Sequence, residues 1–390
     1  MVMRIKHWLL FFLICLLILG GFLFIHYSRD MSGTRHSVKK PPNIKTDTKA
    51  AHNLKSATLA AVGDVLIHDR VYNKAKKDNG YNFKPMLEAV KPYIQDADIS
   101  VANSESIIGG SEIGVSTYPS FNSPFEVGDA LKDAGFDVVT MANNHTLDMG
   151  IPAIRNAIHH WDKIGMVHTG SFLSEKDRAN IRTVTSHDIT FSFLAYTYGT
   201  NGIATPEGKD YLVNRINLTQ MQKDIKNAKG ISDVVVVSLH FGTEYERMPN
   251  SQQKDLVQKL ADQGVDIILG CHPHVLQPVQ WVEGKRGNKT FVIYSMGDFF
   301  TGQDDDIYKE VGGILKLRVV KTTIDNKVRV EVRDPQFMPT WLNPKNYHVL
   351  PLAEAGKYGL TNEPAVYKEM GNHMMRWMPG LEIIKQFQEK

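Results

Sequence analysis

The chain has 390 residues, 42% of them hydrophobic and 22% charged, with a formal net charge of +3. That length suits one large α/β domain or two ordinary ones with ample core, and the composition is that of a globular protein. Residues 1–50 carry eight Lys/Arg against two Asp/Glu, leaving 37 basic and 40 acidic residues in the rest, so bulk charge argues against nucleic acid as a partner.

In chain order, the first element is apolar. Trp8 to Ile25 follow Arg4 and Lys6 without a single charge and are almost all Leu, Ile and Phe, nearly the span of a bilayer core. No small-residue cleavage pattern follows, and Cys15 is preceded by Leu13 and Ile14 rather than by the small residue of a lipoprotein site. An uncleaved anchor is expected. Arg29, Arg35, Lys39, Lys40, Lys45 and Lys49 after the run oppose export on a simple charge count, but a very short basic N-terminus is the signal-anchor arrangement. The expected layout is a cytoplasmic segment 1–7, a transmembrane anchor 8–25, a basic linker 26–56 and a folded domain outside the cell membrane. The only other cysteine is Cys271, so no structural disulfide is expected.

From Thr58 the texture is that of a folded domain. "TLAAVGDVLIHD" reads as a strand ending at Gly63-Asp64, and "DADISVANSE" repeats the pattern with Glu105 just past it. A helix from about Phe125 to Ala134, a glycine stop and a strand from Asp137 to Met141 lead into the polar turn "ANNHTLDMG". A helix at Ile151 to Lys163 and paired β runs near 181–197 come next. "SDVVVVSLH" ends on His240, a helix covers Ser251 to Gln263, "GVDIILGCHPHV" carries His272 and His274, and "KTFVIYSMGDFF" is a strand running into a polar loop. Beyond Lys321 only "KVRVEVRD" reads as strand. Helices alternating with apolar strands predict a layered α/β domain.

Asp64, Glu105, Asn144, His145, His240, His272 and His274 all follow the apolar part of a strand, the edge where such sheets place their sites. Each has a plain alternative: Asp64 as a helix cap, Asn144 as a turn residue, the histidines as satisfied polar groups. Repetition of the placement on five strands favours a common purpose. Extended backbone would put His272 and His274 on one face, at i and i+2. Two carboxylates, an amide oxygen and three imidazoles suit one or two divalent ions of the Mn, Zn or Fe type. Asp64, Glu105, Asn144, His240, His272 and His274 are the candidate ligands. His145 is the spare imidazole for proton transfer, with Asp148 orienting its turn or capping a helix.

The ordered series "GDV", "NSE", "YPSFNSP", "MANNHTLDMG", "HFGTEYE", "GCHPHVLQPV" and "YSMGDFF" resembles the CapA, or PgsA, family of bacterial poly-γ-glutamate capsule biosynthesis, itself similar to the calcineurin-like metallophosphatases. The resemblance runs from about Thr58 to Thr301. It implies an α/β metallophosphoesterase-like sandwich, β-sheets flanked by helices, over 57–345 with a C-terminal extension 346–390. By it, Asp64 stands for the first-motif Asp, Glu105 for the bridging carboxylate, Asn144 and His145 for the Asn-His pair, and His240, His272 and His274 for the later histidines. The chain departs in having Leu66 where that pattern has a His, with His68 two positions on, and Cys271 where another His is common. Glu244 and Tyr245 belong to the family pattern as substrate contacts or loop-shaping groups. Asn122 and Ser123 are expected at the rim, contacting a polar polymer, and Asp298 in a supporting position. The implied partners are poly-γ-glutamate or another anionic polymer, the membrane and other capsule-synthase subunits. Three functions stay open at this point: a membrane-anchored extracellular subunit of capsule synthesis and export, a metal-dependent hydrolase of a phosphoester or the polymer amide, and a non-catalytic polymer-binding module.

Overall fold

The computed structural model describes residues 53–325 and 327–387, and the expected anchor at 8–25 lies outside the described residues. Among the described residues no helix is long and apolar enough to cross a membrane. The strands are β1 (Asn53–Leu66), the short pair β2 (Lys76–Lys77) and β3 (Gly80–Tyr81), β4 (Ile99–Ser104), β5 (Val138–Thr140) and β6 (Val167–Thr169). They continue with β7 (Arg182–Ser186), β8 (Ile189–Thr197), β9 (Val234–His240), β10 (Ile267–Cys271), β11 (Leu276–Glu283) and β12 (Lys289–Met296). The last are β13 (Asp298–Thr301), β14 (Val311–Ile324), β15 (Lys327–Leu342), β16 (Val349–Pro351) and β17 (Glu382–Ile383).

Two sheets face each other. The first runs β16-β15-β14-β1-β4-β5-β6, with β13 also on β1 and β17 on β15; the second runs β11-β12-β10-β9-β8-β7. Side-chain alternation along β1 builds two cores at once. Leu59 and Ala61 point between the sheets, where they join Val101, Val138, Phe193, Val236, Ile267 and Ile293. Ala60 and Val62 point outward, under the helices Glu126–Ala134 and Gly150–Lys163. Those helices bury Val127, Ala130, Leu131 and Ala134, and Ala153, Ile154, Ala157, Ile158 and Trp161, the three-and-four spacing of an amphipathic face. The second sheet's outer face is covered by Leu218–Lys229 and Ser251–Gln263 through Met221, Ile225, Val257 and Leu260. The result is a helix–sheet–sheet–helix sandwich, as expected. Each large apolar side chain buried in it contributes about 1.5–3 kcal/mol.

Local signals place the ends. Gly135 closes its helix at φ 106, a left-handed cap open to glycine. Asn250 opens the helix Ser251–Gln263 with a capping box completed by Gln253, which satisfies two orphan amides.

Three readings differ from the structure. The residues after Met296 are not a loop: β13 runs parallel to β1, with Asp64 opposite Asp298. Strand β1 spans Asn53–Leu66 and so takes in the last residues of the segment read as linker. The unassigned tail supplies β16, a helix at Glu363–Met374 and β17. β16 and β17 both pair with β15, so the residues past 345 complete the first sheet.

Candidate metal centre

The parallel strands β1, β4 and β5 of one sheet and β9 and β10 of the other end on the same edge, with Asp64 among the last residues of β1 and the other polar residues at or just past their strand ends. Asp64, Glu105, Asn144, His145, His240, His272 and His274 are all buried there. Backbone proximity requires glycine next to them: a Cβ on Gly63 would lie 1.8 Å from the Gly297 carbonyl oxygen, and one on Gly270 2.0 Å from that of Tyr294. These close approaches explain why Gly precedes both Asp64 and Cys271-His272.

Three carboxylates meet at this edge. Asp64 is held by the Asn103 amide at 2.7 Å and by the His272 backbone N–H at 3.0 Å. Glu105 has both carboxylate oxygens buried and without a hydrogen-bond partner. Asp298 accepts from His274 Nδ1 at 2.8 Å through one oxygen, and its other oxygen is buried without a well-formed hydrogen bond. Among the described residues every ion pair these three make is with a histidine: His240 Nε2 lies 3.4 Å from Glu105, and His274 lies 3.5 Å from Asp64, 3.8 Å from Glu105 and 2.8 Å from Asp298.

The electrostatic consequence follows. Burial, and then the Asp64 carboxylate, push Glu105 far above the usual carboxylate range. Burial raises Asp64 too, against the opposing pull of His274, and raises Asp298 to about 6 against the same pull. Burial opposes charge on His274, but Asp298, Glu105 and Asp64 outweigh it and hold the imidazolium well above 6.5. Burial and the other imidazoles drive His240 well below its ordinary value and His272 to about 3. His240 and His272 are neutral imidazoles, and burial disfavours charge on the three carboxylates beside them, a penalty that a divalent cation would offset in place of the proton on His274.

The geometry agrees with that donor chemistry. One ligand atom from each of Glu105, His240 and His272 lies within 4.8 Å of the others, and the same holds for Glu244, His272 and His274, and for Asp64, His274 and Asp298. Asn144 Oδ1 joins the first set, 2.8 Å from His240 Nε2. Asn103 sits 3.3 Å from His240 Nδ1. On the other side of the ring, Nε2 faces Asn144 and Glu105. His272 Nδ1 is buried with no partner, an orphaned atom that an ion satisfies.

The pairing of His272 and His274 arises differently from the strand alternation expected. Residues 272–275 form a bend past β10, and both histidines take positive φ, 98° and 59°. Such backbone costs on the order of 1–3 kcal/mol per residue and is retained where a site needs it. The bend brings the two rings to 5.9 Å.

The remaining candidates fall around this centre. His145 Nδ1 lies 2.7 Å from Asp148 Oδ2, which also accepts the Phe121 backbone N–H at 2.8 Å. The His145 ring packs edge-on against Phe121 at 4.7 Å, so its orientation is fixed from two sides. Glu244 is exposed at the opening. Tyr245 donates its backbone N–H to the Pro273 carbonyl at 2.8 Å, with its ring 6.1 Å from His274. Asn122 is not brought to the opening. It is fully buried, with Oδ1 accepting from the Gly109 backbone N–H and Nδ2 donating to the Gly110 and Gly114 carbonyls, and so it holds a loop together. Ser123 is likewise buried and donates to Ser106. His68 lies with Nδ1 3.1 Å from the Gly302 backbone nitrogen and belongs to none of the ligand sets. Cys271 is a buried thiol that burial and then Asp64 and Glu105 hold protonated.

Residue-type reasoning did not single out Asn103, Asn201 or Tyr198. Asn201 Nδ2 lies 3.5 Å from His145 Nδ1, and its Oδ1 accepts from Asn144 at 3.2 Å. Tyr198, half-exposed, lies 4.6 Å from the His272 ring. Burial and then Glu244 and Glu105 raise its hydroxyl to about 12, so it stays a phenol. The available signal was position: Tyr198 directly follows β8, whose end shares the edge.

Residues 58–303 match the family described as bacterial capsule synthesis protein PGA_cap. The capsule biosynthesis protein CapA of Bacillus anthracis is 29% identical over 260 residues, 63% of this chain and 60% of that protein. The PGA biosynthesis protein CapA of Bacillus subtilis is 28% identical over 279 residues, 66% and 67% respectively. Similar solved structures include a putative 5'-nucleotidase from Staphylococcus aureus, at 15% identity and TM-score 0.44 over 81% of this chain and 58% of that one. Another is the NAD nucleotidase of Haemophilus influenzae, at 10% identity and TM-score 0.44 over 86% and 65%. With most of its folded residues matched, strand-end motifs included, the chain belongs to the PGA_cap family of bacterial capsule synthesis proteins.

Proposed function

We propose that this chain is a membrane-anchored, extracellular subunit of poly-γ-glutamate capsule synthesis, and that its strand-end centre is a divalent-metal hydrolase site acting on the polymer amide or on a phosphoester. One observation carries the catalytic part: Glu105, Asp64 and Asp298 are buried together, and among the described residues they have only histidines as ion-pair partners. An arrangement that costs this much without a cation is retained for one. Family membership and the relatives' names support the capsule part.

Asp64, Glu105, Asn144, His240, His272 and His274 would hold the metal. When bound, it supplies Lewis acidity and a water of lowered pKa. The chain's own groups do the rest. Asp148 fixes the His145 ring through Nδ1 at 2.7 Å, which leaves Nε2 to give a proton to a leaving amine or alkoxide. Tyr198 and Tyr245, both half-exposed, present phenol hydroxyls beside the opening. Each residue of poly-γ-glutamate carries a free carboxylate next to its amide, so a cation also offsets the repulsion between this polymer and exposed Glu244.

The test is turnover of poly-γ-glutamate and of an aryl phosphate by the purified full-length chain, loaded with Mn²⁺ or Zn²⁺ and then stripped. Metal-dependent cleavage of either substrate is expected. A loaded chain that cleaves neither removes the hydrolase part, and unchanged extracellular polymer after gene deletion in a capsule-forming host removes the capsule part.

A further inference from the structure

Resting on the reading that the strand-end centre binds divalent metal, we propose that Asp298 is itself a metal ligand, holding a second cation together with Asp64 and His274. The backbone is built to bring these carboxylates side by side. Each follows a glycine, in "GDV" and "GDF". Gly63 and Gly297 approach so closely that a Cβ on the former would sit 1.8 Å from the latter's carbonyl oxygen. Gly297 itself takes φ 65. Asp64 and Asp298 are therefore directly opposite in the parallel register of β1 and β13, an arrangement that like charges make unfavourable.

His274 Nδ1 lies between them, 2.8 Å from Asp298 Oδ1 and 3.5 Å from Asp64 Oδ2. Asp298 Oδ2 is buried without a well-formed hydrogen bond, only the Thr301 hydroxyl approaching the carboxylate besides His274. One proton shared between an imidazole and two carboxylates leaves this oxygen poorly satisfied, whereas a cation in the proton's place satisfies it. The set holds two carboxylates and one imidazole, against one carboxylate, one amide and two imidazoles around Glu105. The more oxygen-rich set suits Mn²⁺.

The competing role for Asp298 is to orient His274 by accepting from Nδ1, with no contact to metal. Asp298→Asn separates the two, because an amide oxygen still accepts that hydrogen bond but carries no charge. The experiment strips the full-length chain, reloads it with Mn²⁺, and reads metal per chain and its retention against a chelator. Wild type, Asp298→Asn and His240→Ala are compared, with circular dichroism confirming the fold. The expected result is about two ions in wild type and one in each variant, the ion kept in Asp298→Asn being the one His240→Ala loses. Asp298→Asn retaining the full wild-type content overturns the inference and leaves Asp298 as a positioning residue. A single wild-type ion that survives Asp298→Asn but not His240→Ala overturns it while preserving the metal reading. No metal in wild type overturns both.

Discussion

Glu105 has both carboxylate oxygens buried without a hydrogen-bond partner, near only His240 and His274 as ion-pair partners among the described residues. Glu105→Gln keeps the shape and removes the charge. In metal-free protein the variant is expected to be more stable than wild type at about pH 8 by roughly 1–3 kcal/mol, read from denaturant unfolding. The sign follows from linkage: a carboxyl raised in the folded state contributes full stability below its ordinary 4.5 and loses it as pH rises through the folded value. The advantage of the variant should therefore vanish near pH 4 and grow above it; an advantage that shrinks with rising pH contradicts the burial argument. His145 gives a second residue-scale prediction. Its contacts are to Asp148, Phe121 and Asn201, so His145→Ala should lower kcat by about 10²–10⁴-fold with metal content unchanged. Loss of metal along with activity would make it a ligand instead. The histidines and carboxylates of this centre were legible in the sequence because charge at the end of an apolar strand is conspicuous. Asn103 and Tyr198 were not, since an amide or phenol at a strand end has many ordinary uses, and only the partner atoms of His240 and His272 reveal theirs.

At the scale of elements, strand ends and their glycines set the geometry. Gly63→Ala places a methyl against the Gly297 carbonyl, and separation of β1 from β13 is expected to cost more than about 3 kcal/mol and to lower metal retention. Normal stability in that variant would show that the two strands part freely. Away from the centre, Asp266 precedes β10 and accepts the Val235 backbone N–H at 2.8 Å, and burial lifts it from 3.8 to about 6. Its folded state holds the proton longer than the unfolded chain does, so stability falls as pH rises from about 4 through about 6, by on the order of 2–3 kcal/mol. Asp266→Asn should flatten that part of the pH–stability curve, and an unchanged slope would refute the assignment. Most helices and inner strands were readable from periodicity, Ser251–Gln263 to the residue. β13 was not, because four residues following a glycine carry too short a pattern to distinguish strand from loop, and pairing with distant β1 decides it. The bend at His272–His274 was hidden for a related reason: positive φ at two histidines has no signature in residue type.

For the whole molecule, the charge balance separates capsule binding from simple ion exchange. The chain beyond residue 50 has more acidic than basic residues, so an anionic polymer has no general attraction to it. Poly-γ-glutamate is expected to bind only when metal is present and to dissociate on chelation. Binding that survives chelation would place recognition on a surface other than this centre. The layered sandwich was legible from alternating helices and strands, whereas the contribution of the chain past residue 345 was not, because β16 and β17 are too short to show a period.

The most direct test of the central claim is the metal content of the purified full-length chain, measured beside His272→Ala after supplementation with Mn²⁺ and Zn²⁺. The buried orphan nitrogen of His272 predicts near-stoichiometric metal in wild type and a clear loss in the variant. No metal in either protein would contradict the account and leave the buried carboxylates and histidines as a structural network of shared protons.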